Sequence, residues 1–179
     1  MNYIDAHSHI WTPDTAHYPL AAGFRRAIMQ PPSFTVEELK EQMKTAGVNR
    51  VVLIQMSFYG YDNDYMLDTI ERFPGQFVGV AVIDQNDPNP EIRMGRLEKQ
   101  GVTGFRIYPK DQPVERWLDN EGLRKMFAFG ARRRLNMCCL IDTDALPALD
   151  KTCHEFPETA VVSGDRCRTG GGGTDRDAA

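Results

Sequence analysis

Short apolar runs alternate along the chain with longer stretches whose apolar residues recur every three or four positions. Residues 3–6 form a brief apolar run that leads into His7-Ser8-His9. RVVLIQ at 50–55, FVGVAVI at 77–83, and the segments 104–108 and 137–141 are rich in β-branched and other apolar residues, as strands buried on both faces are. Residues 160–162 start a sixth such run. Helical patterns fill the intervals. Thr35 with Glu38 three residues on makes a capping box, Leu39 and Met43 carry a stripe to Ala46, and Gly47 stops it. Further helices are predicted over 63–73, 90–99, 120–134 and 145–155. The third opens with Pro90 and Glu91; the fourth ends in Arg132, Arg133 and Arg134, which suits the helix dipole.

The order is β-α five times and then a strand, which predicts an α/β fold with a parallel sheet. No GxGxxG follows the first strand, so a doubly wound dinucleotide fold loses its main support. A polar pair at the C-terminal end of strand one, where barrels keep their chemistry, favours a barrel. A complete barrel has eight strands and typically about 250 residues. The expectation is therefore an incomplete (β/α)8 TIM barrel over residues 1–162, of about five βα units plus the start of a sixth strand. The remainder, SGDRCRTGGGGTDRDAA at 163–179, has neither a strand nor a helix period. It is expected to be a disordered Gly/Arg-rich tail, such as a frameshift or premature stop after Val162 would leave. Residues 11–34, with four prolines, are expected to fold over the barrel mouth as a lid.

Composition narrows the function classes. The chain has 179 residues, 41% hydrophobic and 26% charged, enough for one sizeable core without a disulfide or metal. The net charge of −4 argues against a general nucleic-acid binder. No apolar run approaches the roughly 20 residues of a membrane span, and no signal peptide is visible. Cys138, Cys139, Cys153 and Cys167 show no CxxC spacing, and the adjacent pair reads as core residues of a reducing compartment. The expected location is cytoplasmic. A small-molecule substrate is the expected partner, without nucleic acid or membrane; a homo-oligomer is left open.

His7 and His9 are the sharpest chemical feature. Residues i and i+2 of a strand project from one face, so the two imidazoles are expected to converge on one divalent metal. Asp5 falls on the same face by the same alternation and is a candidate for orienting a ligand from behind. The competing reading is a pair of hydrogen-bonded histidines at a strand end. Arg106 sits inside an apolar strand, and its guanidinium suits a substrate carboxylate. The alternative is an ion pair with Asp84 or Asp142. Ser57 and Tyr59 fall on the loop after strand two, where barrel active sites are built, and are substrate-binding candidates. His17 and His154 read as a loop and a surface histidine. No residue is singled out as the catalytic acid or base.

These residues, taken in order, resemble the amidohydrolase-related TIM-barrel hydrolases. IDAHSHIW at 4–11 is similar to their first-strand signature, and Ile54-Gln55 with 57–63 to their second-strand loop. GVAVID at 79–84, GVTGFRIYP at 101–109 and FPETAVV at 156–162 continue the likeness. The resemblance covers about residues 3–162 and includes lactonases and non-oxidative decarboxylases. It implies that His7 and His9 bind a divalent metal, zinc being expected, together with a later His and an Asp after the last strand. This chain has Ser163-Gly164-Asp165 where the later His is expected, and the Asp would fall beyond residue 179. The implied function is metal-dependent hydrolysis of a small lactone or amide, one bearing a carboxylate. The alternatives are a decarboxylase of the same family or a non-catalytic barrel fragment.

Overall fold

Residues 3–108 and 113–165 are described by the structure, a computed structural model. Six strands and five long helices alternate. They are β1 (Tyr3–Ser8), α1 (Val36–Ala46), β2 (Val48–Ile54), α2 (Asp64–Arg72), β3 (Phe77–Ala81) and α3 (Pro90–Lys99). β4 (Val102–Ile107), α4 (Glu121–Arg133), β5 (Asn136–Ile141), α5 (Leu146–Glu155) and β6 (Val161–Asp165) follow. The strands form one sheet in the order β1-β2-β3-β4-β5-β6, every neighbouring pair parallel. Sequential parallel strands joined by helices are the construction of the (β/α)8 barrel, and this is an incomplete one.

Local chemistry sets the helix ends. Thr35 Oγ1 accepts from the Glu38 N–H at 3.3 Å, and Glu38 accepts from the Thr35 N–H at 2.6 Å, so the expected capping box forms. Gly47 ends α1 in the left-handed region at φ 69°. At the start of α4, Asn120 Oδ1 accepts from the Leu123 N–H at 2.9 Å. Gly122 passes so close to Gln85 that a Cβ there would lie 2.0 Å from the Gln85 carbonyl oxygen.

Strand alternation divides the sheet into two unequal faces. Val51, Leu53, Phe77, Phe105, Ile107, Met137, Cys139 and Ile141 point to the helices and share one core with residues of all five helices. The opposite face carries Val52 paired with Val78, Gly104 with Asn136, and Arg106 with Cys138. Val52, Val78, Arg106, Cys138 and Leu140 there are only half-buried, and Val162 is 51% exposed. At the other end of the sheet, Tyr3 and Ile4 on β1 are each 53% exposed. Core burial is complete on the helix side because each helix covers a strand pair; the concave side has no such cover among the described residues.

Two boundaries differ from expectation. β1 runs to Ser8 and so includes His7. β6 continues to Asp165, pairing Cys139 with Ser163 and Leu140 with Gly164, although 163–165 were assigned to the tail. Main-chain pairing to β5 carries the strand where side chains offer no pattern. Cys167 and the four-glycine run lie outside the described residues.

Residues 11–34 pack on the 3-10 turn Ser57–Tyr59 that follows β2. Met29, Phe58 and Tyr59 are buried there against Trp11, Tyr18, Leu20 and Phe24, in a cluster separate from the main core. Trp11 and Phe34 bridge the ends of the segment, and the Ala21 N–H donates to the Phe58 carbonyl at 2.9 Å. Among the described residues, no helix is long and apolar enough to cross a membrane.

Candidate active site

The C-terminal end of β1 is irregular, and that irregularity shapes the site. Asp5 is in register with Val51, and Ser8 with Leu53. Three residues of β1 therefore advance against two of β2, which is a β-bulge. Strict alternation predicted Asp5 on the face of His7 and His9. The bulge instead aligns both Asp5 and Ser8 with helix-facing residues of β2. Their side chains meet, Ser8 Oγ donating to Asp5 Oδ2 at 2.6 Å, while Asp5 Oδ1 accepts from the His7 main-chain N–H at 2.9 Å.

The imidazoles of His7 and His9 converge edge to face, with Nε2 of each 3.1 Å from the other. His9 Nδ1 lies 2.8 Å from the Ile54 carbonyl oxygen at the end of β2. A carbonyl can only accept, so His9 Nδ1 carries the proton and neutral His9 presents a lone pair at Nε2. His7 Nε2 then donates to it. Burial holds the His9 pKa below its ordinary value. The Ile54 bond opposes that shift, and the charges of His7 and Arg106 add to it.

This donor pair fits a divalent metal in kind and in spacing. Two nitrogens each about 2.05 Å from a tetrahedral zinc would stand about 3.3 Å apart. It supplies two ligands; among the described residues no group of three or more His, Cys, Asp or Glu side chains converges.

Arg106 lies on the concave face beside Cys138, its partner in register on β5. With Tyr61, Val82, Gln85 and Tyr108 it lines a small open cleft at the C-terminal ends of β3 and β4. Ser57 is exposed on the 3-10 turn after β2. Tyr59 is 3% exposed, and its hydroxyl oxygen accepts from the Thr12 N–H at 3.1 Å, joining the long segment to the turn after β2. Thus His7, His9 and Arg106 sit at one end of the sheet, while Tyr59 is enclosed behind the segment that covers it.

The sequence profile of the amidohydrolase family matches residues 4–164. The chain belongs to the amidohydrolase family. A curated 4-sulfomuconolactone hydrolase from Hydrogenophaga intermedia is 29% identical over 103 residues, 58% of this chain and 32% of that protein. The fold is shared with a probable 2-pyrone-4,6-dicarboxylic acid hydrolase from Acinetobacter baumannii, solved with citric acid bound. That match has a TM-score of 0.74 and 22% identity, covering 91% of this chain and 58% of the other. An amidohydrolase from Burkholderia multivorans with bound zinc matches at a TM-score of 0.69 and 18% identity, over 89% and 56%. This amidohydrolase-family chain thus spans little more than half the length of those structures, and its match to the Hydrogenophaga protein covers about a third of that relative.

Two features of the site carried no readable signal. The Ile54 carbonyl that orients His9 is main chain, which no residue type announces. Asn63 looked like the first residue of a helix. In the structure it is buried, with Nδ2 donating to the carbonyls of Tyr61 (3.0 Å) and Val82 (2.9 Å), and Oδ1 accepting from the Val82 N–H (3.1 Å). It clasps the loop after β2 to the end of β3, beside the Arg106 cleft. His17 stacks on Tyr18 at 4.7 Å between ring centroids, and His154 is exposed on α5. Burial pushes the Cys139 thiol up to about 12, with the neighbouring Cys138 and Cys153 adding to it, so it is no nucleophile at neutral pH.

Proposed function

We propose that this chain carries the first half of a hydrolase site for a small, carboxylate-bearing lactone. The convergence of His7 and His9 at Nε2 is the observation that carries the reading. His7 and His9 would hold a divalent metal, zinc by analogy with the Burkholderia protein. When bound, such an ion polarises a carbonyl and lowers the pKa of water. Arg106, facing the same end of the sheet, would pair with a substrate carboxylate and turn the lactone toward the histidines. Ser57 on the turn after β2 would add a hydrogen bond. Tyr59 would act by holding residues 11–34 against the turn after β2. Asp5 would act on the histidines from behind. The names of the two lactone-hydrolase relatives support the substrate class, and the bound citrate of one fits a site that takes carboxylates.

The test is a cobalt(II) titration of the full chain, followed by visible absorbance, with and without 2-pyrone-4,6-dicarboxylate, together with loss of the lactone ring absorbance over time. The expected result is a one-to-one cobalt complex, abolished in His7→Ala. The lactone should perturb that complex in the parent chain and leave it unchanged in Arg106→Met. Ring opening should require both histidines. A chain that holds no cobalt, or holds it equally in His7→Ala, would overturn the reading.

A further inference from the structure

The bulge in β1 points to a device for aiming His7 that lies outside the imidazole pair itself. In a regular strand, residues i and i+2 stand parallel, about 6.6 Å apart along the chain. Here the two rings lean together until their Nε2 atoms are 3.1 Å apart. His9 has its own anchor, the Ile54 carbonyl. Among the described contacts, the one side chain that grips His7 from behind is Asp5, through the main-chain N–H at 2.9 Å.

We propose that Asp5 and Ser8 form a clamp that holds the β1 bulge open and thereby aims His7 at His9. Asp5 is a positioning residue. Its two carboxylate oxygens are both committed to the bulged segment, one to the His7 N–H and one to the Ser8 hydroxyl. Residues i and i+3 of a regular strand point to opposite faces. The 2.6 Å contact between Asp5 and Ser8 therefore exists only while the extra residue is accommodated. The carboxylate gives the His7 N–H an acceptor inside the irregular register, where a main-chain donor needs one. Without it, the strand is free to return to regular pairing, which rotates His7 relative to His9. The clamp rests on the metal reading for its purpose, but its geometry is present without a metal.

The experiment has two arms, on the full chain. The first is metal-free: nitrogen-15 and proton NMR of the histidine rings, reading the His7–His9 ring contact and the His9 tautomer. Asp5→Ala should abolish the ring contact while His9 keeps its Nδ1 proton. Asp5→Asn should retain the contact, because its amide oxygen still accepts from His7 and its NH2 can donate to Ser8 Oγ. Ser8→Ala, which spares the His7 bond, should fall between. If Asp5→Ala does not fold, the order of parent, Asp5→Asn and Ser8→Ala carries the test. The second arm is cobalt(II) affinity, expected to weaken about 10- to 100-fold in Asp5→Ala and to be restored in Asp5→Asn. An unchanged ring contact in Asp5→Ala, or in Ser8→Ala should the former not fold, overturns the clamp. A parent chain that binds no cobalt overturns the metal reading and leaves the ring-contact arm to decide the clamp alone.

Discussion

The imidazole of His9 is bonded to the main-chain carbonyl of Ile54, a residue 45 positions away on the neighbouring strand, at 2.8 Å. That one contact settles which nitrogen of His9 faces His7. It also ties the orientation of a strand-end side chain to the correct pairing of β1 with β2.

At neutral pH His9 is therefore expected as the Nδ1–H tautomer and His7 with a proton on Nε2. Long-range proton–nitrogen NMR of the two rings checks this directly. A His9 ring protonated at Nε2 alone would show that the Ile54 bond is absent in solution.

Tyr59→Phe removes the acceptor of the buried Thr12 N–H while keeping the ring in its cluster. Leaving a buried donor unsatisfied costs about 1–3 kcal/mol. The expected result is a loss of that size in denaturant unfolding, with faster amide exchange confined to residues 11–34. A stability equal to the parent would show that water replaces the hydroxyl.

Gly122→Ala should destabilise the fold by about 1–3 kcal/mol or more. The added Cβ would meet the main-chain carbonyl oxygen of Gln85 at 2.0 Å, and a main-chain group cannot rotate aside as a side chain can. Thermal melting measures it. A variant as stable as the parent would mean that α4 and the loop after β3 are less closely packed than described.

Burial, followed by the hydrogen bond and charge of Asp68, pushes the Tyr18 phenol up to about 12. A raised pKa means that the folded chain keeps this proton when the unfolded chain has begun to lose it. The contribution to stability is whole below the ordinary value of about 10 and is lost as pH rises from there through about 12. Burial also raises the phenols of Tyr59 and Tyr65, so phenolate absorbance near 295 nm should show several late-titrating tyrosines, one of which disappears in Tyr18→Phe. A missing group that titrates near 10 would sink the assignment.

Asp5 shows where reading by period stops. Alternation puts residues 5, 7 and 9 on one face, and a single inserted residue moves Asp5 off it. Nothing in IDAHSH distinguishes a bulged strand from a regular one, because the bulge is stabilised by contacts made only after β1 pairs. Asn63 shows a related limit. The helix period begins at this residue but says nothing of its side chain, which reaches 19 residues along the chain to Val82.

The sequence by itself determined the alternation of strands and helices, the cap of α1, the parallel class of the sheet and the place of His7 and His9 at the end of the first strand. These depend on periodicity and on hydrogen bonds between near neighbours, which the residue order states outright. Tertiary structure alone decided the rest. It bulged β1, chose the tautomer of His9, put Arg106 beside the cleft on the open face and sealed Tyr59 behind the segment 11–34. Each depends on which main-chain groups meet across strands, and that register is set by the packing of the whole sheet against its helices.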